Sequence, residues 1–177
     1  IVIIFLFIWS CSSTGSNIDP LETSSKNEEM VNYTQPVDDS SGIQLFMDGM
    51  MFMEQGEYSR AIIEFQEAIE SGSNSAELYH SISEGYWMIQ KYDKSIYYAL
   101  KAIDRDPISS DYKISLGKKY IALNQLELSL NIFEKLAASE TDNAEILFII
   151  ADLKAELKDI DGALVYYQEA YAKDNSL

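Results

Sequence analysis

The chain has 177 residues, with 13 Lys and Arg against 29 Asp and Glu and a formal net charge of −16. So acidic a surface argues against a nucleic-acid binder, because a polyanion is repelled and no counterion-release energy is gained. One Cys and one His exclude an internal disulfide framework, a multi-cysteine metal site and His-pair zinc motifs, while 47% hydrophobic residues suffice for one domain with a tail.

Ile1 to Ile8 is an unbroken apolar run. It is too short to span a bilayer, which takes about 20 apolar residues, and fits the core of a signal peptide, roughly 7–15 residues. No starting Met or basic stretch precedes it, so we read residues 1–10 as a truncated signal-peptide core and expect the natural chain to begin upstream. The sole Cys, Cys11, stands directly behind Ile8, Trp9 and Ser10. This resembles the bacterial lipobox, although Trp9 is bulkier than that pattern usually carries. The resemblance implies lipidation at Cys11 and a lipid anchor in the bacterial cell envelope. Ser12, rather than Asp, follows the Cys, which by the same resemblance implies the outer membrane, facing the periplasm. The alternative is a Cys at the end of a longer transmembrane helix. Two acyl chains give stable attachment.

Residues 11–41 shift to Ser, Thr, Asn, Asp and Glu, with Pro20 and Pro36 as helix breakers. Their apolar residues hold no sustained period of 3.6 or 2, and six acids face one Lys. Such a segment buries too little apolar surface to offset its chain entropy, so we expect a disordered tether. It would span about 30 Å as a coil and about 100 Å fully extended.

From residue 42 the sequence repeats with a period of 34, in slices 42–75, 76–109, 110–143 and 144–177. The eighth position is small throughout (Gly49, Ser83, Gly117, Ala151), as is the twentieth (Ala61, Ser95, Ser129, Ala163). The twenty-first is aliphatic throughout: Ile62, Ile96, Leu130, Leu164. Each slice reads as two helices. In the first two, residues 42–55 and 76–90 carry apolar residues at helical spacing and break at Gly56 and at Gln90-Lys91. The second helices are predicted over Tyr58 to Glu70 and Tyr92 to Arg105. Asn74-Ser75, Ser109-Ser110-Asp111 and Thr141-Asp142-Asn143 can cap the helices that follow. One such pair cannot bury its apolar face alone, so neighbours must stack.

The phased columns resemble the tetratricopeptide repeat family. The second slice carries Tyr79, Ile82, Ser83, Tyr86, Ala102 and Pro107 of its pattern; the third carries Leu116, Gly117, Tyr120 and Phe133. Asp48 and Lys113 depart from it, standing at apolar positions, and Lys154 replaces the usual Tyr. The resemblance implies an all-α, right-handed superhelical solenoid of four repeats, eight helices in all, over residues 42–177. It also implies a concave groove lined by the first helix of each repeat. The second, fifth, ninth and twelfth positions would face that groove. Named as candidate partner-binding residues are Phe46, Met50 and Met53; Glu77, His80, Glu84 and Trp87; Ile114 and Lys118; Phe148 and Asp152. Ile43, Asp111, Ile121, Glu145 and Ala155 fill the remaining places. Members that clamp a C-terminal carboxylate use Lys, Asn and Arg there. Phe46, Met50, Glu84 and Ile114 exclude that specificity.

Phe46, Met50, Met53 and Trp87 are expected to form an exposed apolar groove, because Met and Trp make adaptable, energetically dominant contacts. No acid–base pair, phosphate loop, nucleophile constellation or cofactor motif is present in the sequence, so no enzymatic activity is expected. The expectation is a lipid-anchored interaction scaffold or adaptor that holds an envelope protein's peptide or helix in the groove. Lipoproteins of this repeat class serve outer-membrane assembly, pilus and secretion-channel biogenesis and peptidoglycan-enzyme scaffolding. The alternative is the N-terminal repeat portion of a longer envelope enzyme or sensor. Leu164, Tyr167 and Tyr171 share one face of the last helix, which makes a homodimer through that helix a further expectation, with Leu164 and Tyr171 exposed rather than Tyr167.

Overall fold

In the computed structural model, residues 39–139 and 143–174 are described. The apolar run Ile1 to Ile8, Cys11 and most of the tether lie outside them. Eight helices and no strand occur among the described residues: α1 (Asp39–Glu54), α2 (Tyr58–Glu70), α3 (Ala76–Met88), α4 (Tyr92–Arg105), α5 (Ser110–Ala122), α6 (Leu126–Ser139), α7 (Ala144–Glu156) and α8 (Ile160–Lys173). The second helices of the four repeats begin at Tyr58, Tyr92, Leu126 and Ile160, one period of 34 apart. α2 and α4 have the bounds read from the sequence. α1 starts at Asp39, three residues ahead of the slice boundary, so the tether's last residues are helical.

The first helix of every repeat stops for a local reason. At the fifteenth position of every repeat the backbone turns left-handed: Gly56 (φ 77°), Gln90 (59°), Asn124 (56°) and Lys158 (70°). The following amide then donates back to the eleventh-position carbonyl, as Lys91 N–H does to Tyr86 at 2.9 Å and Gln125 N–H to Tyr120 at 2.8 Å. This is the Schellman closure, which satisfies carbonyls that the ending helix leaves free. Ser75 and Asn143 cap α3 and α7, accepting from the amides of Leu78 (3.1 Å) and Ile146 (3.2 Å).

The small columns are where helices of one repeat cross. Gly49 faces Phe65, and a Cβ on Gly117 would stand 2.6 Å from Phe133 Cε2. In the second repeat Ser83 replaces the glycine and Ala99 the phenylalanine. There Ser83 Oγ donates to the Ser95 carbonyl at 2.8 Å.

Two hydrophobic cores result. Phe52, Ile62, Phe65, Leu78, Ile82 and Tyr86 form the first, from repeats one and two. Phe133, Leu136, Ile146, Ile150 and Leu153 form the second, from repeats three and four. The eight helices make a compact unit with both cores inside it.

Asp48, out of place in the sequence pattern, has a structural reason. The third and seventh positions of repeats two and four (Leu78 and Ile82, Ile146 and Ile150) enter the two cores. In α1 those positions are Gln44 and Asp48, joined by a hydrogen bond of 2.9 Å. They cap the first repeat with polar groups where a preceding repeat would otherwise stack.

Candidate partner-binding face

The first helices of successive repeats sit side by side. α3 and α5 face each other across an open depression of about 450 Å³ walled by Trp87, Ile114 and Ala122 and edged by Glu84, Asp111 and Lys118. At its base lies Lys119, 5% exposed. Its ammonium donates to Glu84 Oε1 and, at 3.1 Å, to Ser115 Oγ, which itself donates to Glu84 Oε1 at 3.1 Å. The same ammonium lies 5.4 Å from the centre of the Trp87 ring. A charge so deeply buried is tolerable only with this pairing. Trp87 is steadied further by Tyr92, ring centres 4.8 Å apart.

His80 sits beside this network, half-buried, 3.9 Å from Glu84 Oε1 and with its ring 5.2 Å from that of Tyr112. Burial pulls its pKa below the usual histidine value. Lys119 adds to that, and together they outweigh Glu84, Asp111 and Glu77. Burial likewise raises the Tyr112 phenol, helped by Glu77, Asp106 and Asp111. His80 is therefore a neutral, packed side chain at neutral pH. Among the described residues no group of three His, Cys, Asp or Glu could hold a metal ion, and no helix is long and apolar enough to cross a membrane.

The other expected residues divide between core and surface. Phe46 and Met53 are half-buried on the first core, the Phe46 ring 5.6 Å from Phe65. Ile114 packs partly on the second core. Phe148 lies edge-on to Tyr167 at 5.3 Å. Glu77, Asp111, Lys118, Glu145 and Asp152 are exposed. Asp152 accepts the Tyr167 hydroxyl, which raises that phenol's pKa. The exposed apolar surface of α1 therefore overlaps the expected set only at Met50: it is Ile43, Met47 (60% exposed), Met50 and Met51. The helix is turned so that Phe46 and Met53 spend most of their surface inside.

Sequence reasoning missed Ser115 and Lys119; it marks the first repeat as Met-rich, Met47 and Met51 included, but leaves those two out of the groove. One signal existed for Lys119: the tenth position otherwise holds Met51, Gly85 and Leu153, so a charge there is anomalous. Lys154, another departure from the pattern, bridges Glu134 (3.3 Å) and Asp159 (3.4 Å). Burial lowers its pKa, but those two carboxylates outweigh it and hold the amine above its usual value.

No family model matches the chain. Anaphase-promoting complex subunit 3 of Schizosaccharomyces pombe is 25% identical over 126 residues, 71% of this chain and 19% of that protein. The chain therefore spans about a fifth of the length of the curated relative it matches. Among solved structures, MamA superposes with a TM-score of 0.69 at 20% identity, over 78% of this chain and 81% of the other. MamA from Desulfovibrio magneticus RS-1 gives 0.67 at 13%, over 77% of each. YrrB, a TPR protein with an unusual peptide-binding site, gives 0.64 at 14%, over 78% and 71%. Eight helices in four phased pairs, Schellman closures at one repeated position and these superpositions establish the fold as a tetratricopeptide-repeat solenoid.

Proposed function

We propose that this chain is a non-enzymatic scaffold that holds a peptide or helix of an envelope protein along the inner face of its repeats. The observation that carries the reading is the exposed stripe of Ile43, Met47, Met50 and Met51, continued by Trp87 and Ile114 around the depression between α3 and α5. Monomers seldom leave contiguous apolar surface uncovered without a partner for it. YrrB, which shares the fold, supports the reading by carrying a peptide-binding site. On the same proposal Cys11 is acylated and anchors the array to the outer membrane, facing the periplasm, with the tether as spacer. The last helix supports self-association as an extension of the reading. Leu164 and Tyr171 are exposed there, whereas Ile62 and Ile69 at the same positions of the first repeat pack in or on its core. A following helix of a longer envelope enzyme or sensor would cover the same surface.

One experiment tests partner and anchor together. A photocrosslinking residue is placed at Met50 or Trp87, and for control at Ile63 or Leu128 on the second helices, in membranes bearing the full precursor. Discrete adducts from the first pair only, and release of the array to the soluble fraction by Cys11→Ser, are the expected results. Adducts from neither pair would remove the scaffold reading, and unchanged membrane association of Cys11→Ser would replace the acyl anchor with a transmembrane one.

A further inference from the structure

The two hydrophobic cores share no residue. The first ends with Tyr86 and its satellite Tyr98 in repeat two; the second begins with Ile114 in repeat three. Between them the side chains meeting from α3 and α5 are largely polar: Glu84 with Lys119 and Ser115, and His80 against Tyr112; Leu116, the buried aliphatic residue of α5, belongs to neither core. The depression of about 450 Å³ lies on this same line. The connection from α4 to α5 is the short stretch 106–109, where Asp106 Oδ1 accepts the amides of Ile108 (3.2 Å) and Ser109 (3.1 Å) while the Ile108 side chain is 88% exposed.

We infer that the solenoid is two rigid bodies, α1–α4 and α5–α8, hinged at 106–109, with the Glu84–Ser115–Lys119 network as the latch that sets the width of the inner face. The inference rests on the scaffold reading only in what it implies for a bound partner. The mechanics follow from packing. Close-packed apolar interfaces resist sliding because every displacement opens voids, whereas a few hydrogen bonds and one ion pair can exchange with water at small net cost. Hinges are short connections that absorb backbone change, and Asp106–Ser109 is such a connection. The tenth position shows what a stiff junction requires. Gly85 there admits Ile62 from repeat one, and Leu153 is part of the second core; Lys119 does neither. When the latch opens, the depression between α3 and α5 widens. A partner that fills it holds the two bodies at one angle.

Residues 35–177 contain no Cys, so paired spin labels can be placed without interference. Glu54→Cys with Glu156→Cys reports across the hinge; Glu54→Cys with Lys91→Cys reports within the first body. The distance distribution across the hinge is expected to be the broader of the two. Lys119→Leu, which supplies the residue repeat four has at this position, should narrow it and raise the thermal midpoint. Glu84→Gln should broaden it further, and Ser115→Ala gives a milder release should that variant fail to fold. Equal widths for the two label pairs would overturn the two-body reading. A cross-hinge width unmoved by Lys119→Leu, Glu84→Gln or Ser115→Ala would overturn the latch. No partner is present in these measurements, so either failure leaves the scaffold reading standing.

Discussion

Gly117 and Phe133 show how single side chains in different helices are matched in pairs. The phenylalanine ring occupies the space a Cβ would need, and the same fit recurs between Gly49 and Phe65. In repeat two both partners change together, to Ser83 and Ala99, and both remain buried. Gly117→Ala should therefore destabilise the array by about 1–3 kcal/mol through overpacking. That is a net loss although alanine is favoured over glycine in a helix by roughly 1 kcal/mol. Phe133→Ala should cost about 3–5 kcal/mol by leaving a cavity. The pair Gly117→Ser with Phe133→Ala restores the combination of repeat two, and thermal or urea unfolding should show it costing less than the sum of its parts. Strict additivity would mean that the two positions do not share the space assigned to them.

Helices and turns have their own regularity. One left-handed residue closes the first helix of every repeat, but only repeat one supplies glycine for it; Gln90, Asn124 and Lys158 take the same conformation with a side chain present. A side chain there costs roughly 1–2 kcal/mol, partly offset by the greater freedom glycine has when unfolded. Lys158→Gly is thus expected to raise unfolding stability by about 0.5–1 kcal/mol and Gly56→Lys to lower it by a similar amount, both read from denaturant midpoints. An unmoved midpoint in both would contradict the shared geometry. Helix bounds were readable from sequence because they are set locally, by these turns and by the small columns; Tyr58–Glu70 and Tyr92–Arg105 are cases in point. The inner face was readable only in part. Phe46 and Met47 are neighbours on one helix, and a small rotation decides which of them enters the core. Lys119 depends on Glu84, 35 residues away in a different repeat, and no local pattern reveals that partner.

The two ends of the array are unlike. Gln44 and Asp48 close the first repeat, whereas α8 leaves Leu164 and Tyr171 exposed, 53% and 62%, with the packed Tyr167 between them. On the proposal that α8 pairs with a second copy, light scattering of residues 35–177 is expected to give a dimer that Tyr171→Glu disperses, because a buried unpaired carboxylate is costly. A monomer at all concentrations, with Tyr171 protected from chemical modification, would defeat that pairing.

The polar seal on α1 then carries a consequence for assembly size. Solenoids open at both ends can add copies indefinitely, head to tail, and grow into fibres. Here a neighbour's α8 laid on α1 would strip water from the Asp48 carboxylate, a cost set against whatever apolar contact the exposed Met47 and Met51 nearby would gain. On the proposal that α8 pairs with α8, the two ends are not interchangeable, and association through the repeats is expected to favour a closed pair over a growing head-to-tail fibre.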